Sequence, residues 1–241
     1  TEPEGWPTQR TFGDERVTFA SFSPERQELI YGMDEGGNER AQFFRLPADG
    51  GQEVPLTQRP DAKHNWGGWS SDGDRFAFTS NRRNEAVFDA YVQGREETKD
   101  DAELLFEGGG YAWPFLAGWS PDDEHMAFVD VRSNFDTEVH VVDVATGETR
   151  KLTDHEGEVR YGSIAWAPDG DALYVTTDLE SDTTYLARLD LGSGDVAPVV
   201  DGGQWNVDGV SIDEDTGRLA YSRNVDGYTE RNVRGWSRHP R

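Results

Sequence analysis

The sequence contains no cysteine, only three lysines, and no apolar run long enough to form a membrane helix. The missing cysteine excludes disulfide bonds, thiol catalysis and cysteine-ligated zinc or iron–sulfur centres. A membrane-spanning helix needs about 18 apolar residues in succession. Residues 1–10 also lack the basic and then apolar pattern of a secretory signal. We therefore expect no membrane partner and no signal peptide.

Basic residues are scarce as a class. The 23 bases face 47 acids, and the formal net charge is −24. A chain this acidic repels a phosphate backbone, so we expect no nucleic-acid partner. The apolar fraction of 34% is low enough to suggest disorder. Eight tryptophans, an aromatic fraction of 12% and regularly spaced glycines instead indicate a folded chain.

The acids are spread over the whole chain, and 20 of the 23 bases are arginine. A surface rich in carboxylates and nearly free of lysine resembles that of proteins from organisms that keep molar salt in the cytoplasm. High salt screens the self-repulsion that would destabilise such a chain. Our hypothesis is a halophilic protein of a high-salt cytoplasm, and the alternative is an ordinary acidic protein.

A short string recurs along the chain: an aromatic residue, a small polar residue, often proline, and then Asp-Gly or a close variant. The spacings between successive copies are 47, 50, 47 and 46 residues. The copies begin at Phe22, Trp69, Trp119, Trp166 and, in degenerate form, Ile212. We call these five residues the anchors and the turns that follow them the anchor turns. We expect the three tryptophan anchors to be core residues of inner strands.

Each anchor turn precedes a short alternating apolar segment, such as 75–80 or 172–177, and a polar loop, a third strand and a fourth strand follow. Four short antiparallel strands in about 47 residues are the unit of a β-propeller blade. A doubly wound α/β fold would need amphipathic helices, and a sandwich would not explain the fixed period. We predict an all-β fold, a five-bladed β-propeller of four-stranded antiparallel blades.

The whole chain, 1–241, is predicted to form a single propeller domain. The predicted blades cover about 17–57, 58–106, 107–154, 155–201 and 202–235, followed by a tail at 236–241. The last segment supplies three strands at most. Because residues 8–17 align with the fourth-strand segment 149–159, we predict that a strand at 7–13 completes the last blade and removes an exposed sheet edge.

The loop motifs resemble a known family. Asp34–Glu39, Gly67–Ser70 leading into Ser80–Arg83, Ser133–Asp136 and Arg160–Ser163 look like the N-terminal propeller of S9 serine peptidases of the prolyl oligopeptidase and acylaminoacyl-peptidase type. The blade motif is also similar to the TolB propeller. This resemblance covers roughly residues 7–230 and implies a domain that gates substrate or binds peptides.

The chain departs from that family in having no segment for an α/β-hydrolase domain. The nucleophile elbow Gly-x-Ser-x-Gly is missing, because Gly68–Asp72 and Gly118–Asp122 both lack its last glycine. No catalytic residue is therefore carried over, and we expect no enzyme activity from this chain alone. The basic, acid-free segment 231–241 breaks the repeat, which fits a truncated chain; docking of this tail on an acidic surface is the alternative.

Metal and cofactor sites are not expected. The five histidines show no zinc-binding spacing, and His125 and His140 fall inside predicted strands, where we interpret them as structural. Segments such as Asp72–Asp74 and Asp213–Gly217 occupy the turn position of a blade and lack the distal glutamate of an EF-hand. We interpret them as turns.

Loops between second and third strands share one propeller face with the connections between blades. Aromatic, amide and arginine side chains on loops over a rigid scaffold are typical of binding surfaces. The alternative is that the aromatics cap the blades and each arginine pairs with a carboxylate. The candidate ligand-binding residues are Glu35, Asn38, Glu39, His64, Trp66, Asn81, Arg82, Arg83, Trp113, Arg132, Asn134, Arg160, Tyr161 and Trp205.

Three hypotheses for function follow. The first is a non-catalytic propeller, truncated or free-standing, that binds peptides or another protein. The second is a TolB-like protein-interaction module. The third is a propeller enzyme of the lactonase or glycosidase type, which would work at the central channel with carboxylates, histidine and calcium. The sequence does not indicate an oligomeric state.

Overall fold

The computed structural model describes residues 8–98, 101–109, 115–213 and 216–235, and this part of the chain is built of strands and turns. It contains no helix long and apolar enough to cross a membrane. In chain order the strands are β1 (Val17–Phe22), β2 (Glu28–Met33), β3 (Gln42–Pro47), β4 (Val54–Pro55), β5 (His64–Trp69), β6 (Arg75–Asn84), β7 (Val87–Gly94), β8 (Glu103–Phe106), β9 (Phe115–Trp119), β10 (His125–Val131), β11 (Thr137–Asp143), β12 (Thr149–Lys151), β13 (Tyr161–Trp166), β14 (Ala172–Thr177), β15 (Tyr185–Asp190), β16 (Val196–Val200), β17 (Val207–Asp213), β18 (Arg218–Val225) and β19 (Tyr228–Gly235).

The strands form five antiparallel sheets, each made of consecutive strands. Blades one to four contain β1–β4, β5–β8, β9–β12 and β13–β16, and blade five contains β17–β19. The prediction of an all-β, five-bladed β-propeller is confirmed. Each of the first four blades has four strands, and the fifth has three within the described residues.

The predicted closing strand is the exception. Residues 8–13 of the predicted segment 7–13 form no strand, and residue 7 lies outside the described part. Arg10 instead donates a hydrogen bond to the carbonyl oxygen of Asp49, in blade one. The outer strand β19 is almost wholly exposed and carries Glu230, Arg231 and Arg234. Charged side chains on an edge strand disfavour pairing with another strand, which is consistent with this outcome.

Neighbouring blades are held together by shared hydrophobic clusters. Strand alternation sends Phe76 and Phe78 of blade two against Ile30 and Phe43 of blade one. The opposite face of blade two, with Ala77, packs on blade three. Further clusters join blade three to four and blade four to five. The remaining cluster of described residues lies within blade one, so the ordered core follows the chain from blade to blade.

The tryptophan anchors link each blade to the one before it. Trp69 Nε1 donates to the carbonyl oxygen of Ser21 at 3.4 Å, and Trp119 Nε1 donates to that of Gly68 at 3.3 Å. Trp166 repeats the bond with Gly118 at 3.1 Å. Burying an indole requires a partner for its N–H, and the inner strand of the preceding blade supplies one. The repeat spacing therefore places one indole at each of these three blade junctions.

The anchor turns of blades two and three share one hydrogen-bonding scheme. In blade three, Ser120 Oγ donates to Asp122 and accepts from the backbone N–H of His125 at 2.9 Å. Ser70 forms the same contacts in blade two, with Asp72 and Arg75. These bonds replace ladder bonds that a tight turn cannot form, so a serine and an aspartate two residues apart determine the turn.

Candidate functional site

The predicted binding residues lie at one end of the blades, where the second and third strands connect and where each blade begins. We call this end the loop face. Eight of the fourteen predicted residues are exposed there: Glu35, Asn38, Glu39, Arg83, Arg132, Asn134, Arg160 and Trp205. Trp66 and Arg82 are half-buried, and His64, Asn81 and Tyr161 are buried. Trp113 lies outside the described residues.

Several of these residues belong to strands, although the sequence placed them on loops. Strand β6 continues to Asn84, so Asn81, Arg82 and Arg83 lie on it and are followed by a tight turn. His64 and Trp66 belong to β5, and Tyr161 begins β13. Their side chains are therefore held by sheet register and by packing between blades.

A polar network joins blades one and two at the loop face. The side chain of Lys63 lies 3.3 Å from Glu39 Oε2, and its backbone N–H donates to Asn81 Oδ1 at 2.7 Å. Asn81 Nδ2 donates to the carbonyl oxygen of Glu85 at 3.0 Å. The buried amide of Asn81 is thus used to hold the blade connection, and the Glu39 carboxylate stays accessible.

His64 is held as a neutral ring. Its Nδ1 lies 3.0 Å from the carbonyl oxygen of Ala41, and its Nε2 lies 3.2 Å from Arg82 Nη2. A carbonyl only accepts and a guanidinium only donates, so Nδ1 carries the proton and Nε2 accepts. Burial, followed by the nearby charge of Arg82, lowers the pKa of His64 to about 3. Both ring nitrogens are occupied within the protein, which makes His64 a structural residue.

The two arginines that follow are held in different ways. The Arg82 guanidinium stacks over the rings of Phe78 and Tyr91, at 4.9 and 4.8 Å from their centroids. Arg83 forms a bidentate ion pair with the fully buried Asp89, in which Nε and Nη2 each donate to one carboxylate oxygen at 2.8 Å. Burial and then the adjacent Asp89 carboxylate raise the pKa of Tyr91 to about 12. These contacts support the alternative in which the arginines serve the blades.

Arg132 makes the corresponding contacts in blade three. Its Nε lies 3.0 Å from Asp130 Oδ2, and its Nη2 donates to Glu138 Oε2 at 2.8 Å. Glu138 also lies 3.2 Å from Lys151 Nζ and 3.5 Å from His140 Nε2. The sequence did not single out Asp130 and Glu138, and it indicated a structural role for His140, because the three residues lie on two strands, eight and two positions apart. The sequence signal was the polar residue at alternate positions of otherwise apolar strands.

Blades three and four are joined at the loop face by hydrogen bonds between a threonine hydroxyl and the backbone. Thr137 Oγ1 donates to the carbonyl oxygen of Tyr161 at 2.9 Å. The same hydroxyl oxygen accepts from the backbone N–H of Tyr161. The N–H of Arg160 donates to Asp178 Oδ1 at 2.7 Å, which leaves its side chain exposed. The side chain of Tyr161 is 1% exposed and lies in the hydrophobic cluster between the blades.

Three strongly exposed aromatic side chains lie at the loop face: Phe135, Trp205 and Tyr228, which is 77% exposed at the turn between β18 and β19. Trp205, which the sequence predicted, is 39% exposed on the connection into blade five. Phe135, which it did not single out, is 63% exposed in the turn between β10 and β11, next to Asn134. A large apolar side chain held in water is informative because it has a hydrophobic contact to gain.

The opposite end of the propeller contains a cavity of about 370 Å³ around the central axis. Its walls are the anchor residues of blades two to five with the backbone and small side chains beside them: Gly67, Gly68, Trp69, Ser71, Gly118, Trp119, Ser120, Pro121, Asp123, Ile164, Ala165, Trp166, Val210, Ser211 and Ile212. Asp123 is the titratable group of this lining, as far as the structure describes it. A single carboxylate beside indoles provides no acid–base pair for hydrolysis.

Comparison with known proteins shows what this architecture is similar to. The fold resembles the propellers of TolB and of prolyl oligopeptidases. Prolyl oligopeptidase B from Galerina marginata superposes with a TM-score of 0.74 at 12% identity, over 92% of this chain and 33% of that one. Putative TolB from Agrobacterium tumefaciens superposes with a TM-score of 0.64 at 16% identity, over 89% and 72%. Identities this low establish the fold alone.

Sequence comparison points in the same direction. An uncharacterized peptidase of Bacillus subtilis, YuxL, is 30% identical over 121 residues, which are 46% of this chain and 17% of that protein. The chain thus spans less than a fifth of this relative's length, and the matching region is a minor part of the peptidase. No protein-family model matches the sequence. The chain is similar to the propeller part of peptidases.

Proposed function

We propose that this chain is a non-catalytic propeller that binds a peptide or a protein segment at its loop face. The observation that carries the proposal is the exposure of aromatic side chains, among them Phe135 and Trp205, on connections of a rigid sheet scaffold. Aromatic and arginine side chains supply most of the energy at protein interfaces, and loops on rigid scaffolds present them.

The exposed polar residues of the loop face fit an extended peptide. Asn134 and Arg160 are exposed and can donate to peptide carbonyls, and Glu35 and Glu39 can accept from amides or pair with a basic side chain. At low ionic strength, the net charge of −24 attracts a cationic ligand. We therefore expect peptides that combine an apolar or aromatic residue with lysine or arginine. The likeness to peptidase propellers supports the same ligand class.

The experiment is a peptide selection followed by a matched pair of substitutions. Random dodecapeptides displayed on phage are selected on the immobilised chain, and a synthetic copy of the enriched peptide is titrated by fluorescence anisotropy. Phe135→Ala is expected to weaken binding by about 30-fold, the loss of about 2 kcal/mol at an interface anchor. Phe22→Ala is the control, because Phe22 is 67% exposed and lies at the anchor-turn end of the propeller, opposite the loop face.

Equal affinities of wild type and the Phe135→Ala and Trp205→Ala variants would overturn the loop-face assignment. Weaker binding in Phe22→Ala alone would move the site to the anchor-turn end. If no peptide is enriched but a folded partner protein binds and requires Phe135, the TolB-like interaction module becomes the better description; its supporting observation is the superposition over 89% of this chain.

A second experiment tests the absence of catalysis. The purified chain is incubated with aminoacyl and peptidyl p-nitroanilides, with simple lactones and with aryl glycosides, with and without calcium. We expect no turnover above buffer, since the described cavity lining presents one carboxylate and no histidine. Turnover that co-purifies with the chain and saturates with substrate would establish an enzyme.

A further inference from the structure

Three metal-binding residue types meet on one face of blade three. Asp130 and Glu138 are directly opposite each other on β10 and β11, and His140 pairs with Phe128 one step further along the same face. One ligand atom from each of Asp130, Glu138 and His140 lies within 4.8 Å of the other two. The cross-strand register therefore gathers a histidine and two carboxylates from different strands.

Two atoms of this cluster are buried and have no hydrogen-bond partner. Asp130 is 2% exposed and its Oδ1 accepts no hydrogen bond. His140 is 8% exposed and its Nε2 makes no hydrogen bond, although Glu138 Oε2 lies 3.5 Å away. An unsatisfied buried polar atom destabilises the folded chain, so such atoms need an explanation. Both atoms belong to the cluster, and a cation placed between them would satisfy both.

Blade two shows what the same position looks like when it is satisfied internally. There Ser80 and Asp89 occupy the places of Asp130 and Glu138 in the register. Asp89 is fully used, because Arg83 binds both of its oxygens and the N–H of Gly108 donates to Oδ1 at 3.0 Å. Blade three keeps the arginine but adds a second carboxylate and an imidazole.

Two positively charged side chains contact the cluster from the solvent side. Arg132 and Lys151 have side chains that are 46% and 43% exposed, and they contact Asp130 Oδ2 and the two oxygens of Glu138. The inner side is closed by aromatic rings, with Phe128 stacked on His140 at 5.2 Å and Phe106 at 5.5 Å. An ion held there would be shielded from water on one side.

We propose that Asp130, Glu138 and His140 form a binding site for a divalent first-row transition-metal ion such as Zn²⁺ or Mn²⁺. Imidazole with carboxylates suits these ions, whereas Ca²⁺ and Mg²⁺ prefer oxygen ligands alone. The 3.5 Å between His140 Nε2 and Glu138 Oε2 matches the edge of about 3.4 Å that two bonds of about 2.1 Å make in a tetrahedron. Water would complete the coordination.

Calorimetric titration of the metal-free chain with ZnCl₂ and MnCl₂ tests the proposal. We expect one site per chain for these ions and none for MgCl₂. His140→Gln and Asp130→Asn should each weaken Zn²⁺ binding by at least about 100-fold, since even the loss of an outer-shell partner costs 10–100-fold. The control is His125→Gln, in the exposed cluster of Asp122, Glu124 and His125, which has the same residue types and should keep full affinity.

Arg132→Gln provides a test in which the ligands stay intact. Arg132 is 46% exposed, and its guanidinium contacts both Asp130 and Glu138, where it competes with the metal. Its removal should therefore tighten Zn²⁺ binding by about tenfold or more. Co²⁺ bound to the wild type should show visible absorption bands that are lost in His140→Gln, with circular dichroism confirming that each variant is folded.

The proposal is overturned if neither the wild type nor Arg132→Gln binds Zn²⁺, or if His140→Gln binds it as the wild type does. Loss of binding in His125→Gln with retention in His140→Gln would assign the metal to the exposed cluster instead.

Discussion

At the scale of single residues, the structure separates side chains that face a ligand from side chains that hold blades together. His64 and Phe135 illustrate the contrast. His64 is a polar residue that is buried at 4% exposure and used on both nitrogens, and Phe135 is an apolar residue at 63% exposure. Residue type alone would rank them the other way round for a role in binding.

The burial of His64 leads to a prediction about pH. Its folded-state pKa of about 3 lies below the ordinary 6.5, so between these values the unfolded chain binds a proton that the folded chain does not. The free energy of unfolding should therefore fall by about 1.4 kcal/mol for each unit that the pH drops through this window. Urea unfolding of wild type and His64→Gln, followed by fluorescence from pH 7 to pH 4, measures it.

The difference between these two proteins isolates His64 from the many carboxylates, which titrate in both. We expect the stability advantage of the wild type over His64→Gln to shrink as the pH falls. Parallel curves for the two proteins would show that His64 is protonated in the folded state as easily as in the unfolded chain.

The indole bonds between blades lead to a second prediction. Trp119 is 7% exposed, donates to the carbonyl oxygen of Gly68 and lies under the guanidinium of Arg75 at 5.0 Å. Trp119→Phe removes the donor and part of the ring, and should lower the free energy of unfolding by about 1–3 kcal/mol. Chemical denaturation measures the loss. Trp205→Phe, at an exposed site, should stay within about 0.5 kcal/mol of wild type.

At the scale of elements, the first four blades are four-strand meanders and blade five has three strands within the described residues. The anchor turn and the alternation of the strands determine each meander. The anchor turns differ in their side-chain bonding from blade to blade. Ser70 and Ser120 are buried and bonded to the aspartate two residues on, whereas blade four has Ala167 at the same position. The repeat therefore contains its own natural variant of the turn.

The third prediction concerns substitutions that exchange serine and alanine at this turn position. Ser120→Ala removes the bonds from Ser120 Oγ to Asp122 and to the N–H of His125, and should destabilise the chain by about 1–2 kcal/mol. Ala167→Ser introduces the same hydroxyl into blade four and should be neutral or stabilising. Thermal unfolding by calorimetry compares the two. Equal losses in both variants would mean that packing, and not turn bonding, determines the serine position.

At the scale of the whole molecule, stability is distributed over junctions between blades, and the charge is distributed over the surface. Four hydrophobic clusters join consecutive blades, and blade five contributes the fewest buried residues. The low apolar fraction is compatible with this design, because each junction needs a few large side chains on one sheet face and small ones on the other.

The charge leads to the fourth prediction. With a net charge of −24, self-repulsion should lower stability at low ionic strength, and molar KCl should raise the melting temperature because it shortens the Debye length from about 10 Å at 0.1 M to about 3 Å at 1 M. Near pH 4.4, where the net charge approaches zero, the same addition should have a much smaller effect. A melting temperature unaffected by KCl at neutral pH would contradict the halophile hypothesis.

The amino-acid sequence alone was enough to predict the repeat, most of the strands, the anchor turns and the number of blades. Strands and turns depend on chemistry within about ten residues, and the number of blades follows from the length of the repeat. Serine, aspartate and glycine determine the anchor turns, and alternation determines which side of a strand is buried. Tertiary structure decided which distant residues meet. The burial of His64, the gathering of Asp130, Glu138 and His140, and the failure of residues 8–13 to pair with blade five all depend on cross-strand register and on packing between blades. These are long-range contacts whose energies are not visible in the local pattern.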